Sequence, residues 1–466
     1  MEPERFDLVI IGAGSGNSIP TAELAALRIA IIDDGAHFGG TCLNVGCIPT
    51  KMFLHPGRIV SEVREAEHLG VHGEASAKWP QIRDRIFGRI DAISEAGEQY
   101  RASGEPNISL IRERVHFVDR QTLETVSGRR LQAERIVIAA GSRPRELSQL
   151  PFGPRVLSSD ELLRLEQLPN DITVVGGGVI AAEFAFMLHA YGVKVTQLVR
   201  GEMLSAVDRD IARTFTAVAS RRWDVRERTE VVAAAVPDDS EQPIELSLSD
   251  GTALNTELVL VVTGRIPNTD RLATQAAGFD HYADGRLVVD DAQRVLAAGE
   301  PLSSVYALGD VTNAHQLKHV ANEEARIVVA NLTSRTGEPV RNTLHPVPMA
   351  VFTDPEIATF GATLADAQAA GMDAFEVRQD YSGTAWGWAL EDTEHFAKLV
   401  VDREHGQLLG AHIIGRDAAI LLQPLVQAAA FGMSVENLAR GQYWPHPAAS
   451  EIIENLLLTA EKEYNT

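Results

Sequence analysis

The chain has 466 residues, of which 45% are hydrophobic and 23% are charged, a balance typical of soluble globular proteins. This length predicts about three or four structural domains. The formal net charge of −22 argues against nucleic acids and anionic membranes as partners. Two cysteines are too few for a secreted disulfide framework, and neither a signal peptide nor an apolar run of about 18 residues is evident. We therefore expect a cytoplasmic protein.

The N-terminal residues predict a βαβ unit with a glycine-rich turn. Gly12 permits the tight turn, and Gly14 lets the backbone approach a pyrophosphate at a helix N-terminus. Gly16 lies in the same turn, whereas Asn17 occupies the position of the third fingerprint glycine. Asp33 follows Gly12 by 21 positions, where an acid that binds a ribose is expected. The predicted elements are a strand over residues 6–11, a helix over residues 18–27 and a strand over residues 29–32.

The two cysteines, Cys42 and Cys47, lie five positions apart in the stretch GGTCLNVGCIPTK, residues 39–51. A regular helix places residues with this spacing roughly 8.7 Å apart, whereas a disulfide needs about 4.4–6.8 Å between Cα atoms. A disulfide here would therefore require a bend in the backbone, which we expect where a loop enters a helix. A helix N-terminus also lowers the pKa of a thiol. On spacing alone, two buried structural cysteines are the alternative.

This stretch resembles the redox-active motif of the flavin-dependent pyridine nucleotide-disulfide oxidoreductases. The resemblance implies an α/β protein with two Rossmann-like nucleotide-binding domains, for FAD and NAD(P)H, and a C-terminal α+β dimerisation domain. It also implies a redox-active disulfide in which Cys47 lies next to the flavin and Cys42 attacks the substrate, and it places Gly40, Thr41 and Lys51 at the FAD site. The predicted domains are the first part of the FAD-binding domain (1–150), the NAD(P)H-binding domain (151–269), the second part of the FAD and central domain (270–344) and the dimerisation domain (345–466).

A second glycine turn begins at Gly176, which follows Gly12 by 164 positions. Residues 176–181 fit the pattern G-x-G-x-x-A, with Gly178 as the second glycine, between an apolar strand and a helix. In the family that the cysteine stretch resembles, the first such unit binds FAD and the second binds NAD(P)H. Val179 stands where some members carry an aromatic ring over the nicotinamide pocket, so we predict no such ring here.

The strand that completes the second unit, residues 193–199, ends in Arg200, where an NAD-specific site would place an acid. Because an arginine can pair with a 2′-phosphate, NADPH is the predicted reductant. The second arginine of the glutathione reductase pattern would stand at Ala206, so half of that clamp is missing. Glu183 matches the glutamate of the family that pairs with the lysine of the cysteine motif, here Lys51.

Three further positions resemble nucleotide-binding segments of the family. The resemblance places Gly141 at the FAD site and Gly264, in the segment that closes the second nucleotide domain, at the NADPH site. The two turns echo each other, and both follow apolar strands. Asp310 resembles the aspartate that binds the ribityl chain of the flavin. A helix over residues 317–332 should point its N-terminus at the flavin ring.

The last motif contains His446 and Glu451 with the spacing H-P-x-x-x-E. A histidine between prolines is often only a turn residue, but this spacing matches the acid/base dyad of the family. His446 would exchange protons with the reacting thiols, and Glu451 would orient the imidazole ring. In the family this histidine acts on the disulfide of the other subunit, which implies a homodimer. The predicted elements around the motif are strands over residues 398–401 and 408–414 and helices over residues 418–431 and 434–438.

Sequence details at residues 14–18, 49–53 and 440–444 resemble the mycothione-reducing branch of the family. They imply a small-molecule substrate, mycothiol disulfide (mycothione), reduced at the expense of NADPH through FAD. The alternative is an NAD-linked dihydrolipoamide dehydrogenase, against which Arg200 argues. A purely structural subunit would leave the matched redox residues unexplained. We predict no metal site.

Overall fold

The computed structural model describes residues 2–239, 241–335 and 337–466. The chain builds an α/β fold from two sheets of mainly parallel strands, followed by a C-terminal antiparallel sheet covered by helices. This arrangement confirms the predicted fold class of two Rossmann-like units and an α+β unit. Within the described ranges, no helix combines the length and apolar character needed to cross a membrane.

The first unit is built around β1, whose last four residues are fully apolar and buried. A parallel strand with neighbours on both sides and helices over both faces must be apolar throughout, and this segment fits that requirement. The elements of this part of the chain are β1 (Glu4–Ile11), β2 (Ile29–Ile32), α1 (Gly40–Asn44), α2 (Cys47–Glu65), α3 (Trp79–Ser103), β3 (Ile108–Ile111), β4 (Val115–Phe117), β5 (Thr122–Thr125) and β6 (Arg130–Ile138).

The helix predicted over residues 18–27 is wrong. Two short 3-10 helices, Ser15–Ser18 and Ala22–Leu24, replace it. Pro20 lies between them, and a proline both lacks an N–H donor and disfavours the helical conformation of the residue before it. Arg101 of α3 donates to the side-chain oxygen of Asn17 at 2.7 Å and to its carbonyl at 2.9 Å. These bonds give a structural role to the residue that replaces the third fingerprint glycine.

The second unit has a parallel sheet in the order β11-β10-β9-β15-β8, with α5 buried beside it. Nearly every residue of α5 is apolar, as expected for a helix packed on several sides. Its elements are β7 (Ser142–Pro144), β8 (Val156–Leu157), α4 (Ser159–Leu162), β9 (Asp171–Val175), α5 (Val179–Ala190), β10 (Lys194–Val199), α6 (Arg209–Arg222), β11 (Asp224–Glu227), β12 (Val231–Ala235), β13 (Ile244–Leu248), β14 (Ala253–Thr256), β15 (Leu258–Val261) and β16 (Arg265–Pro267).

The chain then returns to the first sheet. The strand β18 lies parallel to β6, with Val305 opposite Ile136, and the central order becomes β17-β18-β6-β1-β2-β3. The strand β7, which leaves the first unit, pairs antiparallel with β16, which leads back to it. The turns at Gly141 and Gly264 therefore lead into the two strands of one small ribbon. The elements added here are β17 (Arg294–Ala297), β18 (Glu300–Ala307) and α7 (Lys318–Thr333).

The C-terminal sheet is antiparallel in the order β19-β20-β23-β22-β21. The helix predicted over residues 434–438 is wrong, because Ser434 forms a β-bridge with Gln407 and Asn437 has a φ of 58°, which an α-helix excludes. The elements are β19 (Met349–Val351), β20 (Ile357–Gly361), α8 (Leu364–Ala369), β21 (Ala374–Asp380), α9 (Ala385–Ala389), β22 (Phe396–Asp402), β23 (Leu408–Ile414), α10 (Ala418–Ala430) and α11 (Glu451–Tyr464).

A buried ion-pair cluster holds the second unit against this C-terminal sheet. The ammonium group of Lys398, on β22, lies 3.0 Å from both Asp208 and Asp210 and 2.9 Å from Glu376. Burial alone would lower the pKa of Lys398, but its three carboxylate partners raise it to about 12. The lysine is therefore charged and fully paired, as a buried ammonium must be.

Candidate functional site

The two cysteines lie on either side of a sharp bend between two helices. Cys42 is in α1, Cys47 is the first residue of α2, and a Cβ added at Gly46 would lie only 3.0 Å from the carbonyl oxygen of Thr41. The predicted bend is therefore present, and it leaves little room for a side chain at Gly46. One detail differs from expectation: Cys42 lies in a short helix and not in a loop.

The two cysteines are free thiols in this structure, and each shifts the pKa of the other. Hydrogen bonding from Cys42, helped by the charge of Lys51, lowers the pKa of Cys47 to about 6 against the opposing effect of burial. The same bond, together with burial, raises the pKa of Cys42. Ionisation of the pair is therefore favoured at Cys47 and disfavoured at Cys42, and the position of Cys47 at a helix N-terminus favours its thiolate further.

Lys51 and Glu183 meet beside the cysteines. The ammonium nitrogen of Lys51 lies 2.8 and 3.0 Å from the two carboxylate oxygens of Glu183. Glu183 is nearly inaccessible to solvent, and one of its oxygens also accepts the amide hydrogen of Phe352 at 3.0 Å. The ammonium group lies 5.0 Å from the centre of the Phe352 ring. The sequence predicted the ion pair but not the contribution of Phe352.

These side chains open into a cavity of about 560 Å³ between the two glycine turns. A second cavity of about 760 Å³ adjoins it and shares Gly12, Asp33, Gly40 and Thr41 with the first. Because they share these lining residues, the two cavities form one cleft. The predicted site residues that line the first cavity are Gly12, Gly14, Asp33, Gly40, Thr41, Cys42, Cys47, Lys51, Gly141, Gly178, Val179, Glu183, Gly264 and Asp310.

Two predicted glycines and one predicted arginine do not line the first cavity. Gly16 is buried, and a Cβ there would lie 3.0 Å from the side chains of Ile10 and Ala139. Gly176 has a φ of +151°, and a Cβ there would lie 2.5 Å from the carbonyl oxygen of Val262. These two glycines therefore serve close packing. Arg200 is exposed, one residue beyond the end of β10.

His446 and Glu451 also lie outside the lining of the cysteine-bearing cavity. Nδ1 of His446 is 2.6 Å from a carboxylate oxygen of Glu451, the first residue of α11. The histidine side chain is 71% exposed, whereas that of Glu451 is 15% exposed. The structure thus joins the predicted dyad and leaves its imidazole ring open to solvent within one subunit.

Two models of one protein family match this chain. A family model described as pyridine nucleotide-disulphide oxidoreductase matches residues 6–325, and the model of the dimerisation domain of that family matches residues 347–457. The chain belongs to this family of oxidoreductases. It is therefore a flavin-dependent disulfide oxidoreductase that uses FAD and a nicotinamide nucleotide. The matched dimerisation domain supports a homodimer.

Curated relatives and solved structures both cover nearly the whole chain. Mycothione reductase from Mycobacterium tuberculosis H37Rv is 44% identical, covering 98% of this chain and 99% of its own length. Dihydrolipoyl dehydrogenase from Halobacterium salinarum is 31% identical, covering 96% and 94%. The flavoprotein disulfide reductase RclA from Escherichia coli superimposes with a TM-score of 0.82 at 25% identity, covering 97% of this chain and 99% of RclA. LpdA from M. tuberculosis has the same TM-score and identity, covering 98% and 99%.

The backbone around the first glycine turn fits the FAD of this oxidoreductase family. A Cβ at Gly12 would lie 2.3 Å from the carbonyl oxygen of Ala139, and one at Gly40 would lie 2.6 Å from the Cα of Gly14. The main chain of two segments therefore meets without side chains, which leaves room and backbone donors for a diphosphate. Gly12, Gly14, Gly40 and Thr41 are the residues that would hold that part of FAD.

Asp33, the acid expected to bind the FAD ribose, is held in place by three donors. Its carboxylate accepts the amide hydrogens of Ala13 at 2.9 Å and Gly35 at 3.0 Å, and a guanidinium nitrogen of Arg112 lies 2.6 Å away. The motif predicted Asp33 but not Arg112, because the arginine comes from the segment after β3. No local spacing in the sequence links the two residues.

Asp310, which lines the first cavity, belongs to a hydrogen-bonded network. Ser142 donates to Asp310 at 2.5 Å, and Arg265 donates to Ser142 at 2.7 Å. The carboxylate of Glu324, on the buried face of α7, accepts the amide hydrogen of Gly309 at 2.6 Å. Burial raises the pKa of Glu324 to about 7. Sequence reasoning missed Glu324, although an acid on the apolar face of a helix is a signal that could have identified it.

A second arginine lies beside the segment that carries Arg200. The amide of Arg228 donates to the carbonyl of Gly201 at 3.0 Å, and its guanidinium group lies 2.8 Å from Glu202. Arg228 follows β11, the edge strand that pairs with β10, and it is largely exposed. The fold therefore supplies a second cation near Arg200 even though Ala206 interrupts the expected clamp.

Proposed function

We propose that the chain reduces mycothiol disulfide (mycothione) to mycothiol with NADPH as the electron donor. The observation that carries disulfide reduction is the meeting of Cys42 and Cys47 with both glycine turns in one cavity. The choice of substrate is supported by 44% identity, over 98% of the chain, to a mycothione reductase. We propose a cytoplasmic location, because disulfides in that reducing compartment are usually transient and catalytic, as the Cys42–Cys47 disulfide would be.

FAD, when bound in the cleft, supplies the chemistry that carries two electrons from the nicotinamide to the Cys42–Cys47 pair. Lys51, held by Glu183, provides a positive charge close to this chemistry. The low pKa of Cys47, about 6, suits a thiol that stays ionised in the reduced enzyme. Cys42 is the thiol that must lose a proton before it can react.

The chain's own residues then complete the exchange. His446 of the partner subunit takes the proton from Cys42, whose sulfur attacks the substrate disulfide and forms a mixed disulfide. The first mycothiol leaves with the proton returned by the histidine. Cys47, as a thiolate, attacks the Cys42 sulfur; the bond between Cys42 and mycothiol breaks, the protein disulfide re-forms, and the second mycothiol leaves as a thiolate that takes a proton from water. One substrate disulfide and one proton from water thus become two thiols, as one protein thiol and one thiolate become one disulfide.

The preference for NADPH rests on Arg200 and is strengthened by Arg228. Arg200 stands where an acid would repel a 2′-phosphate, and the position of Arg228 next to Gly201 allows a second charged contact. Glu202 balances the charge of Arg228 in the structure, so nucleotide binding would compete with that ion pair. The alternative, an NAD-linked dihydrolipoamide dehydrogenase, is supported by a relative at only 31% identity.

The test is oxidation of NADPH and NADH by the purified yellow protein with three acceptors: mycothiol disulfide, glutathione disulfide and lipoamide. We expect the largest kcat/KM with NADPH and mycothiol disulfide. Preference for lipoamide with NADH would overturn both the substrate and the role of Arg200. Absence of turnover with every disulfide would overturn the proposed reductase activity as a whole.

A further inference from the structure

We propose that Lys318 is a cofactor-binding residue that neutralises the diphosphate of FAD. Its ammonium group donates to the hydroxyl of Ser15 at 2.8 Å, across 303 positions of sequence. Ser15 lies between Gly14 and Gly16 in the first glycine turn. Lys318 and Ser15 both line the cavity of about 560 Å³ that also contains Gly12. The side chain thus brings a positive charge from α7 to the turn that holds a diphosphate.

The local backbone explains why this turn needs a cation. In a dinucleotide-binding unit, the helix after the glycine turn contributes a partial positive charge, which arises from the aligned peptide dipoles of several turns. Here that helix is replaced by the four-residue 3-10 helix Ser15–Ser18, and Pro20 prevents its continuation. The usual dipole is therefore largely missing. The net charge of −22 makes the surrounding potential still less favourable for an anion.

The contacts of Lys318 also indicate that an anion is needed beside it. Lys51 and Lys398, the other lysines in polar clusters of the interior, are paired with carboxylates. Lys318 is half-buried, and in the described part of the chain it forms no ion pair; its hydrogen-bond partner is the neutral hydroxyl of Ser15. A partly desolvated ammonium without a counter-charge is unfavourable. A bound diphosphate would supply that counter-charge.

The start of α7 contains no acid that could neutralise Lys318. Lys318 is the first residue of this helix, and the first turn has neither a capping side chain nor an acidic residue. We therefore infer that α7 provides, through the Lys318 side chain, the positive charge that the first glycine turn lacks.

The test is retention of FAD by the purified holoenzyme, followed by the rise of flavin fluorescence on dilution. Lys318→Gln keeps a donor for Ser15 but loses the charge, and we expect its dissociation constant for FAD to rise about 10- to 100-fold. Lys318→Arg should stay within about threefold of the wild type. Lys194→Gln, which removes an exposed lysine at the start of β10, is the matched control and should change nothing.

Two further readouts separate this role from others. The difference in FAD dissociation constant between the wild type and Lys318→Gln should shrink as the salt concentration rises, because the contact is electrostatic. The midpoint potential of the flavin that remains bound should stay unchanged. An unaltered dissociation constant in Lys318→Gln would overturn the proposal, and so would a shifted potential with normal FAD retention, which would locate the charge at the flavin ring.

Discussion

Glu183 binds Lys51 with both carboxylate oxygens, at 2.8 and 3.0 Å, while it also accepts the amide hydrogen of Phe352. Lys51 comes from α2 beside the cysteines, Glu183 from α5 of the second unit, and Phe352 from the segment after β19. One buried carboxylate therefore links three parts of the chain beside the cavity that contains the two cysteines.

Glu183→Ala should lower the thermal unfolding midpoint and slow flavin reduction by NADPH. The change leaves the Lys51 charge and the Phe352 amide without their acceptor, a loss of about 1–3 kcal/mol. Glu183→Gln keeps one acceptor oxygen and should be milder. As a control, Glu394→Ala breaks an exposed ion pair with Arg221 and should have almost no effect. Equal effects of the Glu183 and Glu394 changes would contradict this prediction.

The lowered pKa of Cys47 predicts an unusual pH dependence of its reactivity. In Cys42→Ser, Cys47 is the single thiol, because the chain has two cysteines, and the introduced hydroxyl can still donate to it. Its alkylation rate should rise with pH and level off above a midpoint near the pKa of about 6. Adding Lys51→Met should move the midpoint upward, since the lysine charge helps to lower this pKa. A midpoint of about 8.5, as in a free cysteine, would refute the prediction.

Complementation between two inactive variants can test whether Cys42 of one subunit works with His446 of the other. Cys42→Ser should keep FAD and hydride transfer but lose disulfide turnover by at least about 1,000-fold, and His446→Ala should lose about 100-fold or more. Mixed dimers produced by co-expression carry one complete site if the histidine serves the other subunit. They should recover roughly half of the activity of the wild type. No recovery in purified mixed dimers would show that both residues act within one chain.

Arg200→Glu should raise the KM for NADPH about 10- to 100-fold and that for NADH by less than about threefold. The KM for NADPH should rise because the variant loses a charge-assisted hydrogen bond to the 2′-phosphate and places a like charge beside it. Arg228→Gln should have a smaller effect in the same direction. Lys194→Glu, at the other end of the same strand, serves as the control for net charge. If NADPH and NADH are affected equally, the assignment of the 2′-phosphate site fails.

Glu324 should make stability fall as the pH rises. Its pKa increases on folding from 4.5 to about 7, so between these values the folded chain holds a proton that the unfolded chain has released. Stability is therefore lost across this window, by up to about 1.4 kcal/mol per pH unit, and is constant above it. Glu324→Gln removes this contribution. The difference in unfolding midpoint between wild type and variant should change from pH 4.5 to 7, and a constant difference would contradict the assignment.

The sequence predicted those features that depend on neighbouring residues. The strands at Ile29–Ile32 and Leu408–Ile414 have the predicted bounds because the first is entirely apolar and the second is apolar apart from Gly410 and His412. The bend between Cys42 and Cys47 followed from helix geometry and from Gly46. The family resemblance, the fold class and the use of FAD with a nicotinamide nucleotide are confirmed by the family match. The chemical roles of the individual site residues remain predictions.

The remaining features depend on contacts between distant segments. Arg112, Phe352 and Lys318 each approach a predicted site residue or turn only because the chain folds back after many residues. Their positions match no short motif, so spacing could not identify them. The helix predicted over residues 18–27 is wrong for a different reason. A βαβ unit normally continues with a helix after its glycine turn, but Pro20 prevents that helix here.

The pairing of β18 with β6 affects the order in which the chain can fold during synthesis. Val305 lies opposite Ile136, so the first sheet cannot be completed until the ribosome has passed the whole second unit. The strands of the second parallel sheet all lie between Val156 and Val261. Although domains commonly fold from the N-terminus onward, the inserted unit here can finish its sheet first. Until β18 emerges, residues 136–138 of β6 have an open edge that a chaperone or a misplaced strand could occupy, whereas the start of β6 is already paired with β5.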